Sequence, residues 1–145
     1  MLVNEFLTNT VNLYPHKEAL VCNKGRYSYR EIEKKVNRFV NSLLYNGLKK
    51  RERVIIWLEN SLESVISIFG VLQAGGVFVV INPQVKPSKM AYIMNDCGAK
   101  ALITDQKHFT DFRPIVKQCE DINRIYITDL YKGRQISQDG SKIGI

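Results

Sequence analysis

The chain has 145 residues, of which 45% are hydrophobic and 24% are charged, and its formal net charge is +7. Those values are typical of one α/β domain, or part of one, with a core that needs neither disulfides nor a metal. They exclude a membrane-spanning protein, because the longest apolar run is far shorter than the ~18 residues that a spanning helix needs.

The N-terminal third predicts a short helix, a hairpin and a long helix. Apolar residues at helical spacing before Pro15 indicate a short amphipathic helix. Two short apolar segments within residues 19–28 flank an Asn-Lys-Gly turn, which is typical of a β-hairpin. Ser28 and Glu31 have the spacing of a capping box, so a helix is predicted to begin there and to end at Gly47.

The middle of the chain predicts a strand followed by a buried helix. The continuous apolar run over residues 53–58 is typical of a central parallel strand. Asn60 is expected to cap the next helix, with Glu63 at its third position. That helix, over residues 61–74, is apolar nearly all round and is therefore predicted to be buried on most sides.

The rest of the pattern continues the alternation of strands and helices. The predicted elements are a second buried strand at 77–81, a helix from Pro87 to Gly98, a strand at 100–104, a weaker helix at 109–119 bent at Pro114, and a strand at 124–128. This order predicts an α/β fold, with a mostly parallel sheet flanked by helices on both faces and a small N-terminal hairpin. We divide the chain into an α/β subdomain over residues 1–130 and a polar tail or linker over residues 131–145.

Two glycine motifs superficially suggest nucleotide binding. The pair Gly75-Gly76 lies between a helix and the next strand, whereas a dinucleotide fingerprint lies between the first strand and its helix. We interpret the pair as a helix stop and a close backbone contact. The segment Gly140-Ser141-Lys142 has the reverse order of a phosphate-binding loop and no helix to follow it.

Other reactive side chains also have structural explanations. The acid pairs Glu31/Glu33 and Glu120/Asp121 have surface-type contexts, and Ser28 and Ser61 lie at helix starts without a nucleophile elbow. The cysteines and histidines lack metal or redox spacing, so reduced, mostly buried thiols and surface histidines are expected; they are Cys22, Cys97, Cys119, His16 and His108. The residues alone therefore assign no catalytic, cofactor-binding or metal-binding residue to this chain.

An ordered set of motifs nevertheless resembles a known family. The motifs are PxKxALV at 15–21, GRYSYREI at 25–32, RVII at 53–56, ENSLE at 59–63, AGGVFVVINP at 74–83 and MAYIMNDCGAKALIT at 90–104. In this order and spacing they are similar to the N-terminal part of the AMP-forming acyl-CoA synthetases. That superfamily also contains luciferases and the adenylation domains of nonribosomal peptide synthetases. The resemblance runs from about Pro15 to Thr128.

Two segments favour the acyl-CoA synthetase branch. ENSLE resembles the Pro-Asn-Ser-Pro-Glu pattern of that branch more than the Glu-Arg-Ser-x-Glu pattern of peptide synthetases. VFVVINP resembles its Val-Pro-Ile/Leu-Asn-Pro, where peptide synthetases usually have Leu-Asp-Pro. The chain departs from the family at Glu59 and Val80, both usually proline and both at strand ends, where proline is tolerated but not required.

The resemblance implies a parent enzyme that activates a carboxylic acid with Mg·ATP and then transfers the acyl group to coenzyme A. The family's phosphate loop, its adenine- and ribose-binding motifs and its catalytic lysine lie downstream of the matched segment. No catalytic, cofactor-binding or metal-binding residue is therefore carried over to this chain. We expect it to be structural scaffold, inactive alone, whose partner is the rest of the enzyme in cis.

Other interpretations stay open. The chain is alternatively a fragment of a peptide-synthetase adenylation domain, or a free-standing docking module that self-associates through uncovered apolar surface. Its positive charge would also suit an anionic partner, but the densest basic run, Lys49 to Arg53, is predicted to be a solvated loop. No nucleic-acid motif accompanies that run, so no nucleic-acid partner is predicted. The expected location is the cytoplasm.

Overall fold

The computed structural model describes residues 2–129 and the backbone of residues 142–144. In chain order its elements are α1 (Glu5–Leu13), β1 (Glu18–Cys22), β2 (Gly25–Ser28), α2 (Tyr29–Tyr45), β3 (Arg53–Trp57), α3 (Leu62–Gln73), β4 (Val77–Val80), α4 (Pro87–Cys97), β5 (Ala101–Thr104), α5 (Gln106–Phe112), a 3-10 helix (Arg113–Gln118), β6 (Arg124–Ile127) and β7 (Lys142–Gly144). No helix of the described residues is both long enough and apolar enough to cross a membrane.

The strands form two separate sheets. β1 and β2 form an antiparallel hairpin, and the other strands form a parallel sheet in the order β4-β3-β5-β6-β7. Alternate residues of β3 point to opposite faces: Val54 and Ile56 pack with α2 and α3, whereas Ile55 and Trp57 pack with α4 and α5. The predicted α/β fold, with helices on both faces of a parallel sheet and a small hairpin, is therefore confirmed.

Helix α2 forms for the reasons that the sequence indicates. The Ser28 hydroxyl accepts from the Glu31 amide at 3.3 Å, and the Glu31 carboxylate accepts from the Ser28 amide at 2.8 Å, so the capping box is complete. The buried face of the helix consists of Ile32, Val36, Phe39 and Leu43. Gly47 ends it with a φ of 78°, the left-handed conformation that glycine adopts without strain.

Gly75 and Gly76 are structural. Gly75 has a φ of 81° after helix α3, so a side chain there would be strained. A Cβ on Gly76 would lie 3.0 Å from Val71 Cγ1 and 3.3 Å from the Glu52 carbonyl oxygen. The pair therefore lets α3 turn into β4 with the backbone packed closely, as a helix stop rather than a nucleotide fingerprint.

Two local predictions were wrong. Helix α3 is capped by Ser61, whose hydroxyl accepts from the Ser64 amide at 3.2 Å, so Glu63 is the second helical residue rather than the third. Asn60 lies one residue too early to serve as the cap. Helix α5 begins at Gln106, earlier than predicted, because the Asp105 side chain accepts from the His108 amide at 2.8 Å.

Strand β4 was predicted to be buried, but it lies at the edge of the sheet. The chain leaves β3 through α3 to form β4 on one side and then crosses back through α4 to form β5 on the other. Nothing therefore pairs with the outer edge of β4 among the described residues, and Val77 and Val80 are 44% and 51% exposed. An apolar run of this kind does not reveal whether its strand has one neighbour or two.

The predicted polar tail falls mostly outside the described residues, which end at Asp129 and resume only at 142–144. Residues 142–144 form β7, which pairs in parallel with β6. The sequence analysis did not predict a strand here, because three residues are too few to carry an alternating pattern.

Candidate functional site

The parallel sheet changes direction between β3 and β5. The connection after β3 leads to β4 on one side, whereas the connection after β4 leads to β5 on the other side. In open parallel sheets, ligands bind outside the carboxyl ends of the strands at such a switch point. We therefore take the carboxyl edge of β3, β4 and β5, with the loops that follow these strands, as the candidate site.

The centre of this edge is filled by side chains of the chain itself. Trp57 and Thr104 face each other at the ends of β3 and β5, and the Thr104 hydroxyl donates to the Trp57 carbonyl at 3.0 Å. The His108 ring lies 4.6 Å from the Trp57 ring, centroid to centroid. His108 Nδ1 is 2.7 Å from Asp105 Oδ2, and its Nε2 is 3.1 Å from the Pro83 carbonyl oxygen.

His108 corrects the sequence analysis, which predicted a surface histidine. Its residue is 8% exposed, and the ring touches the ends of β3 and β4 as well as its own helix. The Asp-x-x-His spacing directly after β5 is the signal that could have revealed it, because a helix cap and the residue three positions later lie side by side. The other histidine, His16, is exposed as predicted.

Two helices that start at this edge have their N-termini occupied by acidic or hydroxyl side chains. At α5, Asp105 accepts from the His108 amide and Asp129 accepts from the Gln106 amide at 2.7 Å. At α3, Ser61 caps the first turn, and the adjacent Glu63 accepts from Lys24 of the hairpin at 2.6 Å. The amides that could bind a phosphate at α5 are therefore satisfied by carboxylates already.

The third helix is different. Helix α4 begins at Pro87 and has no side-chain cap, because the capping residue is Lys86. A shallow groove of about 330 Å³ adjoins this helix start and is lined by Asn82, Gln84, Val85, Lys86, Ser88 and Lys89. Lysines beside free helix amides can attract an anion, so this is the part of the carboxyl edge with the chemistry to accept one.

Charge at the edge is balanced around Lys24. Its hydrogen bond to Glu63 raises the pKa of Lys24, with smaller contributions from nearby acids that include Asp129. Partial burial alone would raise the pKa of Glu63, but the Lys24 ammonium and hydrogen bonds to Glu63 hold it below its usual range. Both groups are therefore fixed in their charged forms, which suits a structural tie between the hairpin and α3.

The described residues contain no activated nucleophile or metal cluster. Their three cysteines are free, and burial raises the pKa of the Cys119 thiol, which disfavours the reactive thiolate. No group of three or more metal-ligating side chains converges in the described ranges. Of the predicted surface acids, Glu31 belongs to the capping box and Asp121 pairs with Lys100.

The sequence of the chain matches known proteins along most of its length. The model of a family described as AMP-binding enzyme matches residues 7–142. One large chain of the linear gramicidin synthase of Brevibacillus parabrevis is 31% identical over 105 residues, which are 72% of this chain and 2% of that protein. The crotonobetaine/carnitine–CoA ligase of Escherichia fergusonii is 28% identical over 125 residues, which are 82% of this chain and 24% of that protein.

The fold also matches solved structures. The anthranilate CoA ligase AuaEII, solved in complex with anthranoyl-AMP, superposes with a TM-score of 0.83 and 26% identity. The match covers 90% of this chain and 25% of the ligase. The chain thus spans a quarter or less of each of these three proteins.

Proposed function

This chain belongs to the AMP-binding enzyme family, and from that membership we propose that it is the N-terminal portion of an AMP-forming acid–CoA ligase, in which it acts as structural scaffold. The observation that carries the proposal is the unequal coverage: 90% of this chain matches the CoA ligase, but only 25% of the ligase is matched. A segment of that size can supply a sheet and its helices without supplying a complete active site.

The geometry of the carboxyl edge supports a scaffold role. The N-termini of α3 and α5 are closed by Ser61, Asp105 and Asp129. The centre of the edge is packed by Trp57 and His108, which leaves no cavity for a nucleotide there among the described residues. An adenylation transition state needs preorganised donors around the α-phosphate, and this edge offers them only at the start of α4.

The proposed parent reaction has two steps. A carboxylate oxygen of the acid bonds to the α-phosphorus of ATP, and the bond to the bridging oxygen breaks to release pyrophosphate. The thiol of coenzyme A then attacks the acyl carbon of the acyl-adenylate, and AMP leaves. ATP, Mg²⁺ and coenzyme A would be bound by the remainder of the enzyme in cis, which would be the principal partner of this chain.

A peptide-synthetase adenylation domain is the second candidate for the parent. It is favoured by the 31% identity to the linear gramicidin synthase, whereas the ENSLE and VFVVINP segments and the likeness to AuaEII favour a CoA ligase. The two parents differ in the thiol acceptor: free coenzyme A in one, a phosphopantetheine-bearing carrier protein in the other. Three free cysteines in the described residues suit a reducing compartment, and we propose the cytoplasm.

The scaffold proposal predicts that the 145-residue chain does not catalyse acid-dependent exchange between ATP and pyrophosphate. The assay would use radiolabelled pyrophosphate and a panel of aliphatic and aromatic acids, with a full-length CoA ligase and its own acid as the positive control. Exchange above the no-acid background by the purified chain would overturn the proposal.

The parent can be identified separately from the reading frame beyond Ile145. A continuation into a Ser/Thr-Gly-rich loop that ends in lysine, with no carrier domain downstream, supports the CoA ligase. A carrier domain after the adenylation motifs supports the peptide synthetase. A frame without either would leave a free-standing docking module as the better proposal.

A further inference from the structure

The imidazole of His108 faces a hydrogen-bond acceptor on each side. Its Nδ1 is 2.7 Å from the carboxylate oxygen Oδ2 of Asp105, and its Nε2 is 3.1 Å from the carbonyl oxygen of Pro83. A peptide carbonyl carries no proton, and an ionised carboxylate carries none either. Both distances are within the normal range for N–H···O hydrogen bonds.

A neutral imidazole has one N–H and one bare nitrogen, so it can satisfy only one of these two acceptors. The doubly protonated imidazolium satisfies both. We propose that His108 is held as the imidazolium, and that its second proton is a latch that ties the loop after β4 to the start of α5. This proposal is independent of the reaction proposed above.

The surroundings of the ring support the latch. From β3, the neutral indole of Trp57 packs against the ring, and from the loop after β4 the ring meets the Pro83 carbonyl. From its own helix it meets Asp105, which is the charged group in contact with it among the described residues. Asp129, after β6, reaches the same helix end through the Gln106 amide. All of these groups either favour a positive ring or are neutral towards it.

Asp105 is also held in place for this contact. Its second oxygen, Oδ1, accepts from the backbone amide of His108 at 2.8 Å, so the carboxylate cannot turn away without uncapping α5. The loop on the other side is short and internally bonded, since the Gln84 and Val85 amides both donate to Asn82. Release of the Pro83 carbonyl would therefore move a small, defined segment that adjoins the groove at the start of α4.

A two-bond ¹H–¹⁵N correlation spectrum of the labelled chain at pH 7 tests the protonation state, because it distinguishes an imidazolium from a neutral ring. We expect both nitrogens of His108 to be protonated. The exposed His16 is the second histidine of the chain and provides the neutral-ring reference in the same sample, identified by its loss in His16→Gln. A neutral His108 ring at this pH, with one bare nitrogen, would overturn the proposal.

Asp105→Asn is the matched variant, because asparagine still caps a helix but has no charge. We expect the His108 signals to change to the neutral pattern in this variant. Asp111→Asn, an exposed position on the same helix, should leave them unchanged. If Asp105→Asn keeps the imidazolium pattern, the carboxylate does not hold the proton, and the proposed latch is wrong.

The loop gives a second readout. When the pH is raised until the His108 ring loses its proton, the backbone amide signals of Gln84 and Val85 should shift together with the ring signals. In His108→Gln, which has no proton to lose, that shift should be absent. Amide signals that stay constant while the His108 ring titrates would show that the proton does not control the loop.

Discussion

At the scale of single residues, Tyr126 has a hydroxyl that is fully buried and has no hydrogen-bond partner among the described residues. Burial raises the pKa of Tyr126 to about 12. A buried polar group without a partner is destabilising, so Tyr126→Phe should increase the free energy of unfolding by about 1 kcal/mol. Urea denaturation measures the change. Tyr126→Leu, which also removes the edge-to-face contact with Phe39, should instead destabilise the chain; a clear loss of stability in Tyr126→Phe would contradict the prediction.

The ion pair between Glu52 and Arg124 gives a residue-level prediction with a defined pH dependence. The two side chains are 2.8 Å apart and only 16% and 12% exposed. Burial alone would raise the pKa of Glu52, but hydrogen bonds from Arg124 and the Lys49 amide hold it below its ordinary value of 4.5. The pair therefore contributes fully above pH 4.5, and its contribution is lost as the pH falls through the lower pKa of the folded state.

Arg124→Met should consequently cost about 2–4 kcal/mol of unfolding free energy at pH 7 and clearly less at pH 3, since it leaves a buried carboxylate unpaired only when that carboxylate is ionised. Urea denaturation at both pH values checks this. Arg26→Met is the control, because the pair of Arg26 with Glu18 is exposed and should contribute at most about 1 kcal/mol. An equal effect of Arg124→Met at both pH values would refute the argument.

At the scale of elements, the contact between α2 and α3 depends on Gly70. A Cβ added at Gly70 would lie 2.6 Å from Cδ1 of Phe39, much closer than two carbon atoms can approach. Gly70→Ala should therefore destabilise the chain by about 1–3 kcal/mol, although alanine is the better helix former by ~1 kcal/mol. The double variant Gly70→Ala/Phe39→Leu should recover part of the loss in a double-mutant cycle, because leucine has no ring atom at that position. A stabilised Gly70→Ala variant would mean that Phe39 moves away without cost.

The elements also differ in how far the sequence could predict them. Helix α2 has a capping box, a periodic face and a terminal glycine, and these independent signals agree. The cap of α3 could not be decided from the sequence, because Asn60 and Ser61 are both good caps and only the backbone selects between them. The edge position of β4 could not be predicted either, because it depends on the direction of two crossovers rather than on the residues of the strand.

At the scale of the whole molecule, the same limit applies to the candidate site. Each strand end could be located in the sequence, but the contact of His108 with Trp57 and Pro83 joins three strands that are distant along the chain. A histidine without a neighbouring ligand predicts a surface position on its own, and the burial of His108 follows only from the strand order. The family resemblance, in contrast, depends on ordered motifs and could be recognised without the structure.

The open edge of β4 supports a last prediction about the molecule in solution. Val77 and Val80 are half exposed on an edge strand that contains no lysine, proline or bulge, and such edges pair readily with other strands. We therefore expect the isolated chain to self-associate as its concentration rises, through β4 of two copies. Val80→Lys should shift the sedimentation-velocity profile towards the monomer, because a charged side chain opposes pairing at an edge. Val21→Lys, at a similarly exposed valine of the hairpin, should leave the profile unchanged. A monomer at every concentration, or an equal response to both lysine variants, would exclude β4 as the site of association.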